Sequence, residues 1–130
     1  LSELLGPGVT LEHVAVAARS AEHPLVGLSG FPPGVERSMP SGVSVSRHGP
    51  LEVVVPEREG SPVERFLETR GAGLHHVALG VTDPLEEVLA RLDAAGIRAV
   101  GPIEPGSDGR RTVFLHPKAM GGVLVELVER

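Results

Sequence analysis

At 130 residues the chain has room for one domain, or for two half-size modules sharing a core. Its 41% hydrophobic share rests on Val, Leu and Ala, since there are three Phe and no Trp or Tyr. A formal charge of -5, from 12 basic and 17 acidic side chains, leaves no electrostatic footprint for nucleic acid or an anionic membrane, and the absence of Cys removes disulfides, thiolate metal sites and a cysteine nucleophile.

Gly6-Pro7-Gly8 marks a turn, and Thr10–Ala17 reads as the first strand. Side chains alternate along a strand, so His13 shares a face with Leu11, Ala15 and Ala17, while Val14 and Val16 point the other way. From 19 to 40 the pattern is broken by Pro24, Gly27, Gly30, Pro32, Pro33, Gly34 and Pro40. Ser20 is placed to cap a helix, but Pro24 is expected to stop it within a turn, leaving a loop with at most one helical turn and a short strand near Val35.

Gly42–Arg47 alternates Val43 and Val45 with Ser44 and Ser46, as a half-buried strand does. A tight turn at His48-Gly49-Pro50 leads to the strand Leu51–Val55, in which Glu52 is the one charged residue. A lone carboxylate there is costly unless something pairs with it or binds it. Ser61-Pro62-Val63-Glu64 is a capping box with Pro at the first helical position. It predicts a helix to Arg70 that buries Val63, Phe66 and Leu67 and stops at Gly71.

The next strand, Gly71–Val81, carries the pair His75-His76: His76 shares a face with Leu74, Ala78 and Gly80, and His75 points to the opposite one. Asp83-Pro84-Leu85-Glu86 reads as a second capping box. It opens a three-turn helix on Leu85, Val88, Leu89 and Leu92 that ends at Gly96. Strands over 97–101, 111–116 and 123–128, with turns at 104–109 and 117–122, complete the chain. No apolar run approaches membrane-spanning length and the N terminus lacks a secretory pattern, so a cytoplasmic protein is expected.

The chain echoes itself. Leu11-Glu12-His13-Val14-Ala15-Val16-Ala17 returns 63 positions later as Leu74-His75-His76-Val77-Ala78-Leu79-Gly80, and Leu51-Glu52-Val53-Val54 returns as Val125-Glu126-Leu127-Val128. His13 to Glu52 is 39 positions and His76 to Glu126 is 50, so the first copy is shorter by 11, most simply through a helix that residues 19–40 fail to make. Alone, a strand His or Glu reads as a hydrogen-bonded core residue. Four at repeat-equivalent positions read as a 2-His-2-carboxylate site for a divalent cation such as Zn, Co, Ni, Mn or Fe, with two positions open to water or substrate.

These stretches, with Ser61–Leu67, Gly73–Ala78, Phe114–Lys118 and Gly121–Leu127, resemble the vicinal oxygen chelate superfamily, and within it the methylmalonyl-CoA epimerases. From Ser61 onward the resemblance is continuous; over 19–47 it is poor. It implies an α+β fold of two βαβββ modules forming a U-shaped mixed sheet around a central site, the first with a shortened or missing helix. The whole of 1–130 is then one domain, with module one at about 10–56, a linking helix at about 61–70 and module two at about 73–129.

The resemblance further implies metal ligands at His13, Glu52, His76 and Glu126, one divalent ion (Co, Zn, Mn, Ni or Mg), and a homodimer. The implied reaction is epimerisation of methylmalonyl-CoA or a similar 2-methyl acyl-CoA through a metal-stabilised enolate. Glu126 is the implied base, because Val45 stands where some bacterial epimerases place a catalytic glutamate. Arg47, Lys118, Arg110 and Arg111 are candidates to meet an anionic acyl-CoA substrate. The same ligand set also serves a glyoxalase I-like lyase, and a non-catalytic small-molecule-binding module of this fold is the remaining alternative.

Overall fold

The computed structural model describes residues 2–130, which fall into two compact units: residues 13–75, and the segment up to Glu12 together with His76–Arg130. Among the described residues there are eight strands and three α-helices, an α+β fold. None of these helices is long and apolar enough to cross a membrane.

The first half runs β1 (Thr10–Ala17), α1 (Pro24–Ser29), β2 (Pro33–Met39), β3 (Val43–His48), β4 (Leu51–Pro56) and α2 (Pro62–Arg70). Its strands lie in the order β2-β3-β4-β1, with β3 antiparallel to both β2 and β4, and β4 parallel to β1. Val16, Ala18, Leu51 and Val53 pack on one face with Val26 of α1. Ala17, Val43, Val45 and Val54 pack on the other against Val63 and Leu67 of α2.

The second half repeats this plan with β5 (Gly73–Val81), α3 (Leu85–Ala94), β6 (Ala99–Pro105), β7 (Arg111–Leu115) and β8 (Val125–Glu129) in the order β5-β8-β7-β6. Again the first and last strands are parallel and the others antiparallel. Leu85, Val88 and Leu92 of α3 bury into Val81, Val113, Leu115, Val125 and Leu127. Because alternation puts Glu126 on the opposite face from Val125 and Leu127, α3 leaves the glutamate's face uncovered.

Three expectations need correction. Pro24 does not stop a helix; it begins one, as the first residue of α1, where a proline's missing N–H costs nothing. His23 caps that helix by accepting the Leu25 N–H at Nδ1, 3.1 Å away. The broken segment also yields β2, a full strand, so the shortening of the first half lies chiefly elsewhere: β3 and β4 are joined by residues 49–50 alone, whereas residues 116–124 join β7 to β8. Finally, Asp83 does not cap α3. Its carboxylate pairs with Arg91 at 2.8 Å, and the Leu85 N–H donates instead to Glu129.

The other capping box forms its first arm, with Ser61 Oγ accepting the Glu64 N–H at 3.2 Å. Its second arm is diverted, because the Glu64 carboxylate accepts from Arg19. At the far end Gly71 adopts φ +77°, a conformation that costs other residues energy, and its N–H closes on the Leu67 carbonyl. Ser61 is 1% exposed, and Ser61→Ala takes from the Glu64 N–H its side-chain acceptor. It is expected to lower folding stability by ~1 kcal/mol in urea titrations, with an unchanged m-value.

Candidate metal centre

Each unit brings one histidine and one glutamate together, by the same device. In the first, Ala15 of β1 stands opposite Glu52 of β4, and His13 lies two residues before Ala15 on the same face. In the second, Ala78 of β5 stands opposite Glu126 of β8, and His76 lies two residues before Ala78. The resulting separations agree: His13 Nε2 to Glu52 Oε2 is 3.5 Å, and His76 Nε2 to Glu126 Oε1 is 3.5 Å. All four side chains are buried, and the alanines beside them are fully so.

A separation of 3.5 Å exceeds the length of a good hydrogen bond between charged partners. It suits a different arrangement, since two donors each about 2.0–2.1 Å from one ion lie roughly 3–3.5 Å apart. Imidazole nitrogen with carboxylate oxygen is a donor set for a borderline or hard divalent cation, and ligation relieves the cost of burying both groups. The residues present therefore fit such an ion.

The neighbours of the two pairs differ. Next across the sheet from Glu52 is Arg47, in direct register on β3; its Nη1 lies 3.4 Å from Glu52 Oε2, and its Nε donates to the Gly49 carbonyl at 3.3 Å. Next across from Glu126 is Phe114 of β7, whose ring meets His76 edge-on at a centroid distance of 5.2 Å and an interplanar angle of 87°. The first pair has a cation on its carboxylate; the second has an aromatic ring on its imidazole. His75 lies apart from both pairs, packed edge-on against Phe66 of α2 at 4.8 Å.

Val45 is buried on the Glu52 face, opposite Val54 and in the cluster formed with Val63 and Leu67 of α2. A carboxylate there would be thrust into an aliphatic contact. Of the basic residues read as candidates for an anionic substrate, two besides Arg47 are already engaged with carboxylates. Arg110 pairs with Asp108 at 2.7 Å and with Glu12, and Arg111 bridges Glu86 and Glu129. The hydrogen bond from Arg111 is the main reason the Glu86 carboxyl is held below its usual range. Lys118 is exposed in a short turn where its backbone N–H donates to His116 Nδ1 at 3.1 Å.

The Arg47–Glu52 contact escaped the reading of the sequence, although its signal was there. A two-residue turn at 49–50 sets 47 opposite 52. The place of Phe114 was hidden, because the long connection over 116–124 leaves the register of β7 and β8 open.

A family model described as the Glyoxalase/Bleomycin resistance protein/Dioxygenase superfamily matches residues 13–114. The chain is 40% identical over 82 residues to the mitochondrial methylmalonyl-CoA epimerase of Dictyostelium discoideum, a match that takes in 62% of this chain and 49% of that protein. It is 45% identical over 83 residues to an ethylmalonyl-CoA/methylmalonyl-CoA epimerase of Cereibacter sphaeroides, covering 59% of each. The chain thus spans about half the length of the first of these relatives and 59% of the second. Among solved structures, a methylmalonyl-CoA epimerase in complex with methylmalonyl-CoA and NH4+ superimposes with a TM-score of 0.82 at 28% identity, over 92% of both chains.

Proposed function

Since this chain belongs to the Glyoxalase/Bleomycin resistance protein/Dioxygenase superfamily, we propose that it epimerises methylmalonyl-CoA, or a similar 2-methyl-branched acyl-CoA, at the α-carbon with the help of one divalent cation. The observation that carries this reading is the duplicated His–Glu pair, set at the same register and the same 3.5 Å in both halves of a chain whose relatives are epimerases. In this reading His13, Glu52, His76 and Glu126 together hold one ion, which is Co, Zn, Mn, Ni or Mg. A divalent cation, when bound, supplies Lewis-acid stabilisation to negative charge on the thioester oxygen.

The chain's own residues do the rest. Glu126 takes the α-proton: its carboxylate gains the proton as the C–H bond breaks, and the electron pair passes into the thioester carbonyl. A solvent water then delivers a proton to the opposite face of the α-carbon, which gives the epimer, and Glu126 returns its proton to solvent. Val45 offers no oxygen for a second proton transfer, which leaves Glu126 as the carboxylate this reading assigns to the chemistry. The T-shaped contact with Phe114 helps fix the His76 ring beside that carboxylate. Arg47 and Lys118 are the cations we assign to the anionic groups of the substrate, and the reading includes a cytoplasmic homodimer.

The test is exchange at the α-carbon. Protein saturated with Co2+ and mixed with methylmalonyl-CoA in D2O is expected to wash deuterium into the α-position, followed by NMR, at a rate that tracks epimerisation. Absence of exchange at metal saturation would sink the assignment, and turnover of a glutathione hemithioacetal in its place would identify a lyase.

A further inference from the structure

We infer that Arg47 is an anion-recognition residue held on Glu52, and that a divalent cation on Glu52 makes it available to a carboxylate ligand. This rests on the metal-centre reading above and adds to it a link between the two binding events. Three observations carry it. The contact of 3.4 Å is long for a guanidinium on a buried carboxylate, where 2.7–2.9 Å is usual, and it is made by one nitrogen rather than by the two of a bidentate fork. Glu52 Oε2 is the same oxygen that faces His13 Nε2. The guanidinium is therefore compensating the atom that an ion would claim.

Second, the guanidinium is not walled in. The Arg47 side chain is 24% exposed against 6% for Glu52. Of its five donors, the Nε–H goes to the Gly49 carbonyl and one Nη1–H to Glu52, which leaves three N–H donors on a partly exposed side chain. Third, the duplication isolates this residue. The row Ala15–Glu52–Arg47 corresponds to Ala78–Glu126–Phe114, strand for strand, so a cation in this place is no requirement of the module's architecture.

Charge decides the direction of the link. A guanidinium beside a ligand carboxylate repels a second cation at that carboxylate, so binding of the ion weakens the Arg47–Glu52 attraction. Arg47 then regains its full capacity for an external carboxylate. The planar fork of Arg suits the malonyl-type carboxylate that the proposed substrate carries. By linkage, a dicarboxylate also tightens the ion.

Calorimetry on the full chain tests this with Co2+ and malonate as probes, without reference to turnover. Arg47→Met is expected to bind Co2+ at least as tightly as the parent protein, while the Co2+-loaded variant binds malonate about 10- to 100-fold more weakly, the effect of one lost charge-assisted hydrogen bond. Arg47→Lys is expected to recover part of the malonate affinity. Lower Co2+ affinity in Arg47→Met, with malonate affinity of the loaded protein unchanged, would overturn the inference and make Arg47 a prop for Glu52. Failure of the parent protein itself to bind Co2+ would instead remove the metal centre from which the inference starts.

Discussion

Glu126→Gln is expected to lower kcat by about 10²–10⁴-fold, the contribution of a positioned acid–base group. The substitution keeps the size and shape of the side chain and leaves an amide oxygen able to face His76, so the fold is retained. A neutral amide is also cheaper to bury than a carboxylate, and thermal unfolding of the metal-free variant is expected to occur no lower than in the parent. What the amide lacks is basicity. Glu52→Gln is the control, since it removes a carboxylate at the equivalent register. It is expected to weaken metal affinity while keeping most of the turnover at saturating metal. If the two variants lose turnover equally at metal saturation, the carboxylates act only as ligands and the base lies elsewhere.

The difference between the two glutamates marks where the sequence could be read and where it could not. β1 was legible to its end residues, because His13 interrupts an alternation that nothing else disturbs. Ser61-Pro62-Val63-Glu64 was legible because a cap and a proline at the first helical position act within one turn. The same four-residue logic failed at Asp83-Pro84-Leu85-Glu86, where Arg91, eight positions after the aspartate, drew it away from the helix end. It failed again at Pro24, because a proline that ends one helix also begins another, and what decides is whether the residue before it is extended. His23 is, at φ -115° and ψ 138°.

For the candidate site, each His–Glu pair was legible as a repeat, since parallel strands that carry equal patterns bring equal positions together. Arg47, Val45 and Phe114 were not assigned their places, because what stands beside a glutamate across the sheet depends on hairpin register. The two-residue turn at 49–50 carries the Arg47–Glu52 pairing for a reader who counts outward from it, whereas the long connection over 116–124 leaves the pairing of Phe114 with Glu126 open. The physical consequence is asymmetry: two copies of one device, one with an arginine on its carboxylate and one with a phenylalanine on its imidazole.

Whether the two devices serve one ion is decided by His13→Ala and His76→Ala, singly and together. Outer-shell substitutions at metal sites already cost about 10–100-fold in affinity, so loss of a ligand imidazole is expected to cost more than about 100-fold in either single variant. The double variant separates the alternatives. If one ion is shared, each single substitution abolishes its binding at micromolar Co2+ and the double adds little, the non-additivity of residues that act on one target. If each His–Glu pair held its own ion, each single variant would retain one ion and only the double would lose both. The d–d absorption of bound Co2+ counts the ions directly, which matters in a chain whose lack of Trp and Tyr leaves little intrinsic fluorescence to follow. Stoichiometry falling from one to none in both single variants is the expected result. Retention of one ion in either would show that the repeated pairs are two sites, and the single-cation chemistry assigned to Glu126 would fall with it.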